Sequence, residues 1–401
     1  MSCLSRDICA VLFSSLAWTT LASADDSLND VTPSRYQGYG FLTQGAFYAR
    51  NNHYFGRNNR RVTFDFREIG LGGNFSVSPR HRVAGLLLSR DAGKTDNNRI
   101  RVDHLLLDSK WGRLGDWEIS SQLGRAKTPL GLFNETRDVA ATRPSILLPQ
   151  SIYLDNARKL LINSDGLFLR AHQWTADGDT MALLSLASPT GVNNPETEAR
   201  HLGMDHPGHL VAKPSMTARI EHRHVSGTLL MAQATKSATT YEPTATDNLP
   251  DGHIHTAAMW LGAEQTFAPW VLRAEFFRAN IQRNRFAPVI PDFTNQVAGW
   301  YGEAAYHWSK TSSFIRYDSS YVDLKDKDGT ALAALTGRPA HDFFSRDWTI
   351  GSRLYIASNA SLSAEYHYVD GTSWLPVADN PDFKSHNRYW HLFATQFTIN
   401  F

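Results

Sequence analysis

The sequence predicts an all-β protein, a 16-stranded antiparallel transmembrane β-barrel with an inward-folded third loop. Three observations lead to this fold class. Short segments alternate apolar and polar residues along most of the chain, the connections between them are alternately short and long, and the last such segment ends on Phe401. Alternation with a period of two indicates strands, because successive side chains of a strand point to opposite faces of a sheet.

The alternation is clearest in AGWYGEAAYHW, residues 298–308. Trp300 and Tyr306 fall on one face of this segment, and Glu303 and His307 fall on the other. The pattern becomes irregular near 83–88 and 104–108, which predicts register slips or bulges there. The sixteen predicted strands span approximately 38–49, 63–78, 81–91, 100–111, 116–126, 164–175, 179–189, 212–224, 228–237, 253–265, 270–281, 295–308, 312–323, 345–356, 360–370 and 388–401.

The connections differ in length according to the end of the barrel that they would occupy. After even-numbered strands they are tight, as in SPR, VSG and SNA. After odd-numbered strands they are mostly long and polar, as in 51–61, 128–163 and 371–387. Short turns at one end and long loops at the other are typical of a bacterial outer-membrane barrel. A soluble β-sandwich has no reason to separate loop lengths in this way.

The C-terminal segment FATQFTINF alternates up to its last residue. A barrel closes by pairing its last strand with its first, since an open sheet edge is not tolerated in hydrocarbon. We therefore expect Phe393, Phe397 and Phe401 to face lipid, and Gln396 and Thr398 to face the interior. The alternative is an edge strand of a soluble sheet.

Residues 1–24 have the pattern of a signal peptide. An apolar run at 8–18 is followed by Ala-Ser-Ala at 22–24, which predicts cleavage before Asp25. The run is too short to cross a bilayer as a helix, and the alternative is a buried apolar helix. The mature chain, residues 25–401, would then form the barrel in a Gram-negative outer membrane.

Composition excludes several classes of site. Both cysteines of the chain, Cys3 and Cys9, lie in the predicted signal peptide, so the mature protein would lack disulfides, Cys-ligated zinc and thiol catalysis. The formal net charge is +1 and no long basic block occurs, so we expect no nucleic-acid partner. No common catalytic or phosphate-binding motif is present, and segment 323–335 matches a calcium loop only in part. We predict no enzyme activity, metal or cofactor.

Charged residues on the polar faces of the strands define the predicted interior. An Arg or Lys at mid-depth on the lipid face would cost about 2–4 kcal/mol, whereas in a barrel of this size the interior holds water. Such charges would create a transverse field that orients polar solutes. The alternative is a hydrated wall without solute preference. The predicted pore-lining residues are Arg170, Arg219, Glu221, Arg273, Glu275, Glu303, Arg316, Asp318, Arg353 and Glu365, with His172, Arg223, His307 and His367 beside them.

The connection that follows the fifth predicted strand is the longest. Its stretch SILLPQSIYL, residues 145–154, is too apolar for an exposed loop, so we expect it to fold inward and pack on the wall. From Lys127 to Asn163 it carries five basic and three acidic residues, a balance of +2 that favours anions weakly. The alternative is an outer lid that only packs. The predicted constriction residues are Lys127, Glu135, Arg137, Asp138, Arg143 and Arg158.

The whole mature chain resembles the trimeric bacterial porins in its sixteen strands, long third loop and C-terminal Phe. GRAKTPLGLFNETRDVAATRPSILLPQSIY, residues 124–153, resembles a segment of porin-like proteins described as outer-membrane or phosphate-selective porins. The resemblance implies a homotrimer, and implies that Lys127, Arg137 and Arg143 face the pore.

These observations predict a passive diffusion channel for small hydrophilic solutes with a mild anion preference. The expected partners are outer-membrane lipid and lipopolysaccharide, small solutes or ions, and further copies of the chain. Three alternatives stay open: a substrate-specific channel, for example for an anionic nutrient, an outer-membrane lipid hydrolase, and a soluble secreted β-protein.

Overall fold

The structure is a computed structural model that describes residues 35–202 and 206–401, so the predicted signal peptide lies outside the described residues. Within them, seventeen strands belong to one sheet. The strands are β1 Tyr36–Arg50, β2 Val62–Ser78, β3 His81–Ala92, β4 Asp96–Leu114, β5 Trp117–Lys127, β6 Asn163–Thr175, β7 Gly178–Pro189, β8 His209–Ala212, β9 Ser215–His224, β10 Thr228–Glu242, β11 His253–Phe267, β12 Trp270–Asn284, β13 Phe293–Trp308, β14 Thr311–Tyr321, β15 Phe344–Ala357, β16 Ala360–Gly371 and β17 Tyr389–Asn400.

The sheet closes on itself. Each strand is antiparallel to its neighbours, and β1 pairs with both β2 and β17. The β1–β17 pairing runs from Phe41 opposite Asn400 to Arg50 opposite His391. Beyond it, the amide of Phe401 donates to the carbonyl of Gly40 at 2.9 Å. The last strand is therefore paired to its end, as the sequence predicts.

One predicted strand, 212–224, is divided in the structure into β8 and β9. Both pieces pair with β10, with Ala212 opposite Thr239 and Met216 opposite Lys236. Pro214 lies between them and has no amide hydrogen to donate, so the ladder is interrupted there. Together the two pieces make one wall strand, and the predicted closed barrel of sixteen antiparallel strands is confirmed.

The predicted irregularity near 83–88 and 104–108 is also confirmed. The register between β3 and β4 shifts between Leu86, which lies opposite His104, and Leu87, which lies opposite Val102. Asp103 is the extra residue of this bulge, and its side chain is fully buried. A bulge changes the face of the sheet on which a side chain lies, relative to the regular alternation.

The two faces of the wall have opposite character. On β17, Phe393 is 48% exposed and Phe397 is 40% exposed, whereas Gln396 and Thr398 are 2% and 3% exposed. The exposed outer face is apolar and the buried inner face is polar, the reverse of a soluble protein and the arrangement expected of a barrel in lipid.

The connections are sorted by length. At one end of the barrel, turns of two or three residues join the strands, and at the other end lie long segments that include 51–61, 128–162, 322–343 and 372–388. The helices are α1 Arg158–Leu161, α2 Pro195–Leu202 and α3 Thr330–Thr336, and short 3-10 turns occupy Ala140–Thr142, Asp155–Ala157, Ala340–Phe343 and Phe383–Ser385. Among the described residues, no helix has the length and apolar character needed to cross a bilayer.

Candidate functional site

The connection 128–162, here named the constriction segment after its predicted role, bonds to buried side chains of several wall strands. The first hydrogen bonds between this segment and the wall are made by β9 and β10. Arg219 donates from Nη1 to the carbonyl of Gly131 at 2.8 Å, and Gln233 donates from Nε2 to the carbonyl of Pro129 at 2.6 Å. Both wall side chains are buried. The segment therefore leaves β5 and reaches strands that are not its neighbours in the wall.

Glu275 on β12 is the second attachment point. Its carboxylate accepts hydrogen bonds from the hydroxyl of Tyr153 at 2.6 Å and from the amide of Leu132 at 2.9 Å. The hydroxyl of the wall residue Tyr301 donates to it at 2.8 Å. Gly131 has φ +57°, and a Cβ there would collide with Tyr153 and Glu275, so only glycine fits this approach.

Two strands further along the wall from β12, β14 and then β16 bond to the apolar stretch of the segment. Arg316 donates to the carbonyl of Leu147 at 3.0 Å and to the hydroxyl of Ser145 at 3.1 Å. The carboxylate of Glu365 accepts from the amides of Ile146 and Leu147. A buried cation and a buried anion thus bond to the backbone groups of one short stretch, which satisfies groups that would otherwise be costly to bury.

Two further wall strands, β2 and β15, also form hydrogen bonds with the segment. Arg143 of the segment donates to Glu68 of β2 at 2.7 Å, and Arg353 of β15 donates to the carbonyl of Ala140 at 3.3 Å. At Gly299 of β13, a Cβ would clash with the backbone of Ser151, so the segment lies directly against the wall.

Inside the segment the charges form a buried network. Asp155 pairs with Arg137 at 3.2 Å and with Arg90 of β3 at 3.4 Å. Asp138 pairs with Lys127 and with Arg158. All six of these charged side chains are buried, and burial of a charge is tolerated only when it is paired.

Glu135 lies at the margin of this network. It pairs with Arg170 of β6 at 2.7 Å and lies 3.7 Å from Arg219. Burial acts to raise the pKa of the Glu135 carboxyl, but the two guanidinium groups outweigh burial and lower the pKa. The carboxylate therefore stays charged, and it neutralises part of the basic surplus of the segment.

A cavity of about 70 Å³ lies under the segment. Its lining includes Asp103, Lys127, Asp138 and Arg170. A water molecule needs roughly 10–15 Å³ of such space, so the cavity holds only a few.

The predicted residues fall into three groups. All six predicted constriction residues belong to the fastening or to the buried network. Among the predicted wall residues, Arg170, Arg219, Glu275, Arg316, Arg353 and Glu365 bond to the constriction segment. The other wall residues, Glu221, Arg273, Glu303 and Asp318, pair with each other or with other wall residues.

Sequence reasoning missed Glu68, Arg90, Asp103 and Asp155. Glu68 and Phe66 share the inner face of β2, so the apolar–polar alternation that identifies an inner face is absent there. Arg90 and Asp103 lie on the two strands of the bulge. A signal was available for Asp155, which lies in the predicted segment and is one of its three acidic residues.

Segment 323–335, which matches a calcium loop only in part, stabilises the start of a helix. Asp326 accepts from the amides of Ala331 at 3.1 Å and Leu332 at 2.8 Å in the first turn of α3. Across the two described stretches of the chain, no group of three or more His, Cys, Asp or Glu side chains is placed to hold a metal ion.

Comparison with solved structures shows what this fold is similar to. The outer-membrane channel DcaP of Acinetobacter baumannii has a TM-score of 0.57 at 14% identity over 91% of this chain and 97% of that chain. OmpT of Vibrio cholerae in a trimer form has 0.54 at 12%, over 91% and 99%. An anion-selective porin from Comamonas acidovorans has 0.51 at 11%, over 91% and 98%.

No protein-family model matches the sequence, and no curated protein matches it. At identities this low, the likeness concerns the fold alone. The chain has the sixteen-stranded barrel fold of the outer-membrane porins.

Proposed function

We propose that this protein is an outer-membrane channel for the passive diffusion of small hydrophilic solutes, with a mild preference for anions. The observation that carries the proposal is a closed barrel with an apolar outer face and a polar inner face, to which one long connection is fastened on many sides. Such a connection narrows the passage, and solutes are selected by size and by the charges on the wall.

The position of the constriction segment within the barrel is part of this proposal. The segment bonds to inner-face residues of β2, β9, β12, β14 and β16. A chain segment that contacts strands all around a closed wall has to cross the space that they enclose. Because each contact is made to the inner face of a strand, we favour a segment that crosses the barrel at membrane depth over a segment that forms a lid above the rim.

The anion preference has weaker support. The constriction segment and its flanking residues carry five basic and three acidic groups, and most of these charges are paired. One of the solved structures that share the fold is described as an anion-selective porin. We therefore expect a small selectivity, which salt reduces further.

The cellular setting follows from the same proposal. Residues 1–24 would be removed on export, and residues 25–401 would insert into the Gram-negative outer membrane, in contact with lipid and lipopolysaccharide. A homotrimer is proposed because the OmpT structure that shares this fold is described in a trimer form.

The test is the single-channel current of refolded residues 25–401 in a planar bilayer under a potassium chloride gradient. Discrete conductance steps are expected, with a reversal potential of the sign that anion preference gives. A barrel that shifts on gels after heating, and is therefore folded, but gives no steps would contradict the proposal.

A second candidate is a channel specific for one class of small anion. The many hydrogen bonds between the constriction segment and the wall favour this candidate over a wide, unspecific pore. Titration with inorganic phosphate and with small carboxylates distinguishes the two. Block of the current at low concentration by one anion indicates specificity, and block by none supports general diffusion.

A further inference from the structure

An aromatic row on the outer wall marks one level of the barrel near its long-loop end. In register across β14 to β17, Tyr317 lies opposite Trp348, Trp348 opposite Tyr368, and Tyr368 opposite His391. Ring centroids are 4.9 Å apart for Tyr317 and Trp348 and 5.3 Å apart for Tyr368 and His391. Outward-facing aromatic rings collect where a membrane meets water.

The next row toward the loops is charged. Arg346 lies opposite Asp370, and Asp370 lies opposite Tyr389. The carboxylate of Asp370 accepts from Arg346 at 3.2 Å and from Arg388 at 2.6 and 3.2 Å. One carboxylate thus faces two guanidinium groups, which leaves a positive surplus on the outer surface.

A third cation lies beside the pair. Lys327 has its ammonium 5.7 Å from the ring centre of Tyr321, whose hydroxyl bonds to Arg346. Lys327 is exposed. Lys327, Arg346 and Arg388 are here named the rim cluster. Asp370 pairs with both arginines, and Lys327 lies over the ring of Tyr321 beside Arg346.

Both arginines are held in place and still reach solvent. The guanidinium of Arg346 lies 4.8 Å from the ring centre of Phe344, and that of Arg388 lies 4.9 Å from the ring centre of Tyr389. Their side chains remain 36% and 45% exposed. Stacked, half-exposed guanidinium groups are ordered before a ligand arrives, which favours bidentate bonding to an oxyanion.

Other ion pairs on the outer wall differ from the rim cluster. Arg125 and Asp165 form a one-to-one pair with two bonds at 2.8 and 2.9 Å, and Arg67 pairs with Asp91. In each of these pairs one carboxylate balances one guanidinium. They have no surplus charge to offer a ligand, which makes them suitable controls.

We propose that the rim cluster binds the phosphate-bearing headgroup of a lipid in the outer leaflet. The charges lie one row beyond the aromatic row, at the depth where headgroup phosphates lie, and their surplus has the sign that complements phosphate. The inference rests on the proposed membrane location of the barrel, and concerns its outer surface, away from the passage.

The test is native mass spectrometry of the detergent-solubilised barrel titrated with lipid A, a phosphorylated outer-leaflet lipid. The double variant R346Q/R388Q should bind about tenfold more weakly than the parent, since each arginine supplies charge-assisted bonds. The control R125Q should bind like the parent. Equal binding by the double variant would overturn the proposal.

A variant of opposite sign keeps the test decisive if the double variant folds poorly. Asp370→Asn removes the carboxylate that pairs with both arginines of the rim cluster and should strengthen lipid binding. Unchanged or weaker binding would count against the proposal. Displacement of the lipid by an equal concentration of inorganic phosphate would overturn the assignment to a lipid.

The oligomeric state gives a further control. Loss of a trimer mass in R346Q/R388Q, with lipid binding retained, would identify the surface as a contact between copies of this chain instead.

Conductance separates this inference from the proposed function. R346Q/R388Q lies on the outer surface and should give the same single-channel current as the parent. Weak lipid binding with normal current supports the inference. Normal lipid binding by the double variant with normal current removes the inference and leaves the channel proposal untouched.

Discussion

The two long connections 128–162 and 372–388 are held by different chemistry. The first is fastened to the wall by arginine–carboxylate and arginine–carbonyl bonds, as at Arg316 and Arg143. The second is joined to connection 322–343 by a hydrogen bond of 2.8 Å between His386 and Asp342. Arginine keeps its charge at every pH a protein meets, whereas histidine changes charge near neutrality. The interior contact is therefore permanent, and the rim contact responds to pH.

The largest effect is expected where the interior fastening is broken. Arg316→Met would leave the hydroxyl of Ser145 and the carbonyl of Leu147 without this donor, and would remove one of the two arginines that pair with Glu303. Removing one partner of a buried ion pair costs about 3–5 kcal/mol. We expect the free energy of unfolding, measured by denaturant titration in micelles, to fall by that amount, and the single-channel conductance to rise.

The exposed outer pair is the control for this change. Arg67 lies 3.8 Å from Asp91, and both side chains are substantially exposed. Arg67→Gln should therefore change stability by less than about 1 kcal/mol and leave conductance unchanged. A similar loss in both variants would show that the interior fastening is no stronger than a surface pair.

A smaller effect is expected from one hydroxyl of the constriction segment. Tyr153→Phe removes the donor to Glu275 and the acceptor for the amide of Phe133, at a cost of about 1–3 kcal/mol. Tyr301→Phe removes a donor to the same carboxylate from the wall side. Only Tyr153→Phe should raise the open-channel noise in bilayer recordings. Equal noise in the two variants would argue against a wall contact that restrains the segment.

The rim contact gives a pH-dependent prediction. Burial lowers the pKa of His386, but the hydrogen bonds with Asp342 and with the carbonyl of Asn380, together with the charge of Asp342, outweigh burial and raise the pKa above 6.5. Burial acts to raise the pKa of Asp342, but bonds from His386 and Thr372 lower it below 3.8. The contact between His386 and Asp342 is at full strength between pH 3.8 and pH 6.5, the ordinary pKa values of the two groups. It is lost as pH rises through the raised histidine pKa, and as pH falls through the lowered aspartate pKa.

Limited proteolysis of connection 372–388 measures this dependence. We expect cleavage to increase a few-fold as the pH rises from the slightly acidic range past the pKa of His386 in the folded protein. His386→Gln should abolish the increase between these pH values. Cleavage that rises with pH in both forms would place the pH sensitivity elsewhere.

The smallest expected effect concerns charge selectivity. Lys159 is exposed on the constriction segment, and Lys159→Gln reduces the charge balance of residues 127–163 from +2 to +1. The permeability ratio of chloride to potassium should fall toward one, by less than about twofold. Lys236→Gln on the outer face of β10 is the control and should leave the reversal potential unchanged. A shift in the control alone would contradict the proposed location of the segment.

Much of the barrel was predictable from local pattern. Period-two alternation identified the wall strands, because successive residues of a strand face in turn the lipid outside such a barrel and the water inside it. The sorted loop lengths and the C-terminal Phe401 predicted closure, since an unpaired edge is excluded in a bilayer. The division of the predicted strand 212–224 at Pro214 was not predicted, although a proline cannot donate to the ladder.

Tertiary structure decided the partners of the interior charges. Alternation assigns a side chain to a face, but it does not say which residue lies opposite across the barrel. Arg316 meets Leu147, and Glu365 meets Ile146, although these residues are far apart in sequence. The bulge at Asp103 changes a face without a local signal strong enough to fix it.

The sequence by itself therefore determined the number of strands, their faces and the closure of the wall, because these depend on interactions between neighbours and on the surrounding solvent. Only the tertiary structure decided that the predicted constriction charges are paired and that all of them except Glu135 are fully buried, since pairing depends on register and on contacts across the barrel. The same register brought Arg346, Asp370 and Arg388 together on the outer wall.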